Sequence, residues 1–101
     1  MTPELQERFK AFLDKIDAER AQAEKNARRD VDQGMSRLIE LLEKHASELH
    51  LKFPVLGLAF QRQLAYYAKA YVAHLQEQLG ERFRVRAEDP KKDYFELVIE
   101  W

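Results

Sequence analysis

The chain has 101 residues, 35% of them charged, yet a formal net charge of only −1. It is long enough to bury a core without staples, and too evenly charged for a dedicated nucleic-acid binder. The absence of cysteine excludes disulfides, thiolate metal sites and cysteine catalysis. No apolar run approaches the roughly 18 residues of a membrane span, and the first residues lack the apolar stretch of a signal peptide. The expectation is a single cytoplasmic domain over residues 1–101, with no membrane contact.

A helix starts at the beginning of the chain. Thr2 is placed to cap, Pro3 suits the first helical position, and Glu4 meets the positive end of the dipole. Leu5, Phe9, Phe12, Leu13 and Ile16 then form an apolar stripe at helical spacing. The stripe thins through residues 18–30, an alanine-and-charge segment in which Glu24 and Arg28 are spaced for an ion pair. It returns as Val31, Met35, Leu38, Ile39, Leu42, Ala46 and Leu49. Two readings stand for residues 1–47. One is a single helix, kinked or straight at Gly34. The other breaks between Asn26 and Gly34, with Asp30 or Asp32 capping a second helix. High propensity through residues 18–27 favours the single helix. At about 1.5 Å per residue it would exceed roughly 60 Å, so it must project or pair with another chain in a coiled-coil manner.

Residues 48–53 alternate, with Leu49, Leu51 and Phe53 on one face, and Pro54 is expected to end the segment. They read either as a short third strand or as a frayed helix end. A second, central helix is predicted from Pro54 or Leu58 to Leu79, with Gly80 as its C-terminal cap. Phe60, Leu64, Ala68, Tyr71, Leu75 and Leu79 make its main stripe, and Ala59, Tyr66, Ala70 and Ala73 a second apolar line.

The last twenty residues read as an antiparallel hairpin. Residues 82–88 alternate charged and apolar, residues 94–101 alternate likewise, and Asp89-Pro90 sets a turn between them. The expected register pairs Arg86 with Glu96, Arg84 with Val98 and Arg82 with Glu100. On the buried face it pairs Ala87 with Phe95, Val85 with Leu97 and Phe83 with Ile99. The fold class is therefore α+β: a long first helix, a central helix and a C-terminal hairpin.

Reactive constellations are not visible. His45, His50 and His74 lack metal-ligand spacing, the two serines sit in no nucleophile context, and the isolated glycines cannot cradle a phosphate. No catalytic residue, metal or cofactor is expected. Candidate binding residues are Arg62, Tyr66, Tyr67 and Lys69, an aromatic and basic cluster on the second helix, together with Arg84, Lys91 and Lys92 on the hairpin. Adjacent Tyr66 and Tyr67 cannot both enter one core, whereas Tyr71 is a core residue. The order helix, short strand, helix, two strands resembles a winged helix in layout over residues 36–46, 49–53 and 82–99, with the hairpin as wing. That resemblance implies nucleic-acid contact by Arg84, Lys91, Lys92, Arg62 and Lys69. The principal expectation is different: a non-enzymatic regulator, adaptor or inhibitor that binds a protein partner and forms a homodimer through the first helix.

Overall fold

The computed structural model describes residues 1–56, 64–88 and 94–101. Helix α1 spans Pro3–Lys44 without a break, so the single-helix reading holds and Gly34 lies inside it. The Thr2 hydroxyl accepts from the Leu5 amide at 3.3 Å, and Pro3 opens the first turn. A short 3-10 turn, Ala46–Glu48, ends at Leu49, whose φ of 64° reverses the chain. Strand β1 (His50–Leu56), helix α2 (Leu64–Leu79), strand β2 (Arg84–Glu88) and strand β3 (Tyr94–Glu100) follow. Gly80, at φ 86°, caps α2 as the sequence predicts. The predicted start of α2, with Phe60, lies outside the described residues.

The three strands form an antiparallel sheet in the order β1-β3-β2. Strand β1 runs through Pro54, which sits opposite Glu96. The Trp101 amide donates to the Leu49 carbonyl at 3.1 Å. The antiparallel alternation then turns the odd residues of β1 toward β3 and the even ones, Pro54 included, toward the outer edge. Proline has no amide to donate, so that edge position costs the ladder nothing. The expected stop at Pro54 is wrong for this reason.

The hairpin register is also corrected. Arg84 pairs with Glu100, Val85 with Ile99, Arg86 with Val98 and Ala87 with Leu97, two residues away from the expectation. A two-residue shift leaves every side chain on its predicted face, so alternation alone could not detect it. Phe95, Leu97 and Ile99 are fully buried on the inner face. On the outer face Val98 is buried between Lys52 and Arg86, whose stems shield it.

Helix α2 packs between the inner face of the sheet and α1. Tyr67, Tyr71 and Phe95 form a triad of rings, with centroids 5.7–6.3 Å apart. Gln76 closes the β2 edge. Its amide donates to the carbonyls of Gly80 (2.9 Å) and Phe83 (2.8 Å) and accepts from the Val85 amide at 3.0 Å. On α1 the closest packing falls on the alanine-rich segment read as a thin stripe. Ala23 and Ala27 are fully buried, with Asn26 and Val31 beside them. Small side chains let two helices approach closely, which explains how the alanine-rich segment joins Val31 and Leu38 in the contact region of α1.

Candidate functional site

The apolar stripe on the first turns of α1 is left uncovered. Leu5, Phe9, Phe12 and Leu13 are 48, 50, 54 and 42% exposed, whereas side chains further along the helix enter the core. Helix α1 has 42 residues and the molecule is 61 Å long but only 25 × 21 Å across, so the first turns of α1 project as an arm. The Phe9 and Phe12 rings lie 6.5 Å apart along this arm.

The stripe and the α1–α2 contact are one continuous line. Leu5, Phe9, Phe12, Ile16, Glu19, Ala23, Asn26 and Asp30 follow each other at alternating spacings of four and three. From Ala23 onward the line is covered by α2, with Ile16 and Glu19 half-buried at the transition. Beyond Ile16 the same line continues into solvent. Four half-exposed side chains of this size present on the order of 350–400 Å² of apolar surface. A typical monomer's largest patch is about 300–600 Å², and patches of that size are often functional.

Charge frames the line. On a helical wheel Arg8 and Lys15 border one side and Arg20 the other, while Glu7, Asp14 and Ala21 occupy the opposite face. Glu4–Arg8, Glu24–Arg28 and Glu40–Lys44, all spaced for ion pairs, form none among the described residues. At the root of the arm lies a cleft of about 370 Å³, lined by Arg20, Glu24, Ala65, Tyr66 and Lys69 among others. The Arg20 guanidinium stacks over the Tyr66 ring at 5.1 Å.

Tyr66 and Lys69 thus share one site, but Tyr67 does not join them. It is 1% exposed, and its hydroxyl donates to Asp30 Oδ2 at 2.6 Å, tying α2 to α1. The expectation that Tyr67 takes part in binding is corrected by its burial. Burial, the hydrogen bond to Asp30 and the Asp30 charge, in that order, push the Tyr67 phenol far above 10.0. Burial first, then Asp30, also raises Tyr71. Asp30 lies 37 residues from Tyr67, a pairing no local pattern announces. His74, read as exposed or hydrogen-bonded, is mostly buried with Nε2 2.8 Å from Asp32.

The arginine row divides. Arg86 is held by Glu100 (2.7 Å) and Glu88 (2.8 Å), not by Glu96 as expected. Those hydrogen bonds, Glu100 first, raise the Arg86 pKa, and the bond from Arg86 lowers that of Glu88. Arg82 does not pair with Glu100 as expected. It and Arg84 form no ion pair among the described residues and line a shallow cleft of about 250 Å³ with Glu100 and Trp101. Arg84 faces Glu100 across the ladder, not Val98. Arg62, Lys91 and Lys92 lie outside the described residues.

Among the described residues no group of three or more His, Asp or Glu is placed to hold a metal ion, and no helix is long and apolar enough to cross a membrane. No family model, no curated protein and no solved structure matches this chain. The class is defined by the molecule itself: an α+β body carrying a projecting helical arm with an uncovered apolar face.

Proposed function

We propose that the chain is a non-enzymatic binding protein, a regulator, adaptor or inhibitor, that works as a homodimer joined through the arm. The observation behind this reading is the half-exposed Leu5–Phe9–Phe12–Leu13 stripe on a helix whose lower half packs along the same line. Pairing two such stripes removes on the order of 700–800 Å² of apolar surface from water, worth roughly 18–20 kcal/mol at 25 cal/mol per Å². A mid-range association cost of about 9.5 kcal/mol leaves roughly 8.5–10.5 kcal/mol, enough for micromolar self-association. The cleft of Arg20, Tyr66 and Lys69 then stands at the edge of the paired arms, available to a further protein partner. Substituting Phe12→Glu tests the reading by light scattering. The variant should be monomeric with an unchanged circular dichroism spectrum of the body, while the parent chain is a dimer. A monomeric parent chain would refute the dimer.

A second reading is supported by Arg82 and Arg84, which have no ion-pair partner among the described residues. In it, the chain contacts nucleic acid in a winged-helix-like way. The outward line of α2, Ala65, Lys69, Ala73 and Glu77, offers one cation, which is sparse for a helix that reads DNA. Fluorescence anisotropy with mixed nucleic acid at about 50 and 200 mM salt separates the readings, because phosphate contacts weaken steeply with salt. Binding lost at the higher salt and on Arg84→Ala would favour this second reading.

A further inference from the structure

Resting on the protein-binding part of the reading above and not on the dimer, we infer that the cleft between α1 and α2 takes an acidic side chain of a protein partner. Arg20 and Lys69 hold the carboxylate, and an apolar side chain of the same partner segment lies on an alanine floor. The two helices supply complementary parts. Helix α1 contributes Arg20 and, one turn on, Glu24. Helix α2 contributes Tyr66, Lys69, Ala70 and Ala73, which share one face of the helix. The short alanines leave about 370 Å³ open between the longer walls of Arg20, Tyr66 and Lys69. Ligand-binding clefts span about 300–1,000 Å³, so this one suits side chains and not a whole helix.

Charge selects the ligand. Neither Arg20 nor Lys69 forms an ion pair among the described residues, and Glu24, spaced for one with Arg20, forms none either. The lining therefore carries two cations against one carboxylate. The Arg20 guanidinium lies over the Tyr66 ring at 5.1 Å. Stacking engages its flat face and leaves its N–H edge for a carboxylate, in the two-pronged geometry that arginine favours. A guanidinium already held by a ring loses less freedom when it binds. Lys69, exposed one turn from Tyr66, adds a second cation from the other helix.

The same features disfavour nucleic acid. The guanidinium takes a ring face on which a base would stack, and Glu24 repels a run of phosphates. One carboxylate beside an apolar side chain meets both the excess of a single positive charge and the alanine floor.

The test is an amide-resolved NMR titration of the full chain with two probes. One is an acetylated and amidated Leu-Glu-Leu peptide, the other its neutral Leu-Gln-Leu counterpart. The acidic peptide should shift the Tyr66, Lys69, Ala70 and Ala73 amides saturably. The neutral peptide should bind at least about tenfold more weakly, the effect of one lost charged hydrogen bond. Arg20→Gln should weaken the acidic peptide by a similar factor. Arg20→Lys, which keeps the charge and loses the fork, should weaken it less, and Glu24→Gln should strengthen it. Arg20 and Glu24 are exposed, so these variants keep the fold, and the amide spectrum reports that directly. Equal binding of the two peptides, an Arg20→Gln chain that binds as tightly as the parent, or no shift at these amides up to about 10 mM acidic peptide would overturn the inference. A thymidine oligonucleotide that shifts the same amides at lower concentration than the peptide would also overturn it, by making the cleft a nucleic-acid site. The mass of the same samples decides the dimer separately. A monomeric mass with peptide binding intact removes the dimer and leaves the cleft, and a dimeric mass without peptide binding does the reverse.

Discussion

The bond between Tyr67 and Asp30 is the point where the body and the base of the arm are tied together, and removing one oxygen tests it. In Tyr67→Phe the ring, which packs against Tyr71 and Phe95, is retained. Only the hydroxyl that donates to Asp30 at 2.6 Å is lost. A hydrogen bond to a charged group is worth about 1.5–3 kcal/mol net. Asp30 keeps 30% of its side chain in solvent and has Arg29 at 3.3 Å, so water and the guanidinium recover part of the loss. The expected cost is about 1–2 kcal/mol, read as a lower urea midpoint with an unchanged slope, at one protein concentration for both chains. The pH dependence gives a second, independent sign. The unfolded phenol ionises near pH 10, whereas the folded Tyr67 phenol keeps its proton well above that. The contribution of the raised phenol is therefore complete below about pH 10 and falls by about 1.4 kcal/mol per pH unit above it. Tyr67→Phe lacks that slope, so the gap between the two chains narrows from about pH 10 upward. Equal midpoints at pH 7, or a gap that widens with pH, would refute the reasoning.

Gln76→Leu removes three hydrogen bonds to backbone at the β2 edge and should cost about 2–3 kcal/mol, with faster hydrogen exchange at the Val85 amide. Gly80→Ala meets nothing within 4 Å but must hold φ 86°, so a purely conformational loss of about 1–2 kcal/mol in thermal or urea unfolding is expected. Ala27→Leu overpacks the α1–α2 contact and should lose about 1–3 kcal/mol, whereas Ala18→Leu, on the exposed arm, should be close to neutral.

Much of the fold was legible because local chemistry states it. Thr2, Pro3 and Gly80 mark helix ends by capping and by φ, and period-two alternation assigned Phe95, Leu97 and Ile99 to the buried face. What escaped the sequence is what alternation and spacing cannot encode. Parity fixes a strand's face but not its phase, so the hairpin register was displaced by a step that changes no face. Pro54 reads as a stop, yet an edge strand with its amide side outward accepts it. The helix contact was hidden because hydrophobicity was sought where small size mattered, at Ala23 and Ala27. The Asp30–Tyr67 bond and the Gln76 clasp join residues distant in sequence or chemically unremarkable, with no local signal. Of the candidate site, Tyr66 and Lys69 were found from residue type alone. The stripe was seen, but its exposure required knowing where α2 ends.

Sedimentation equilibrium of the unaltered chain over a concentration series shows whether a second copy covers the arm. A dimer joined through the arm gives a mass rising from 12.0 kDa toward twice that value by about micromolar concentration. A mass that stays at 12.0 kDa up to about 100 μM, a concentration at which such a stripe should pair, would contradict it.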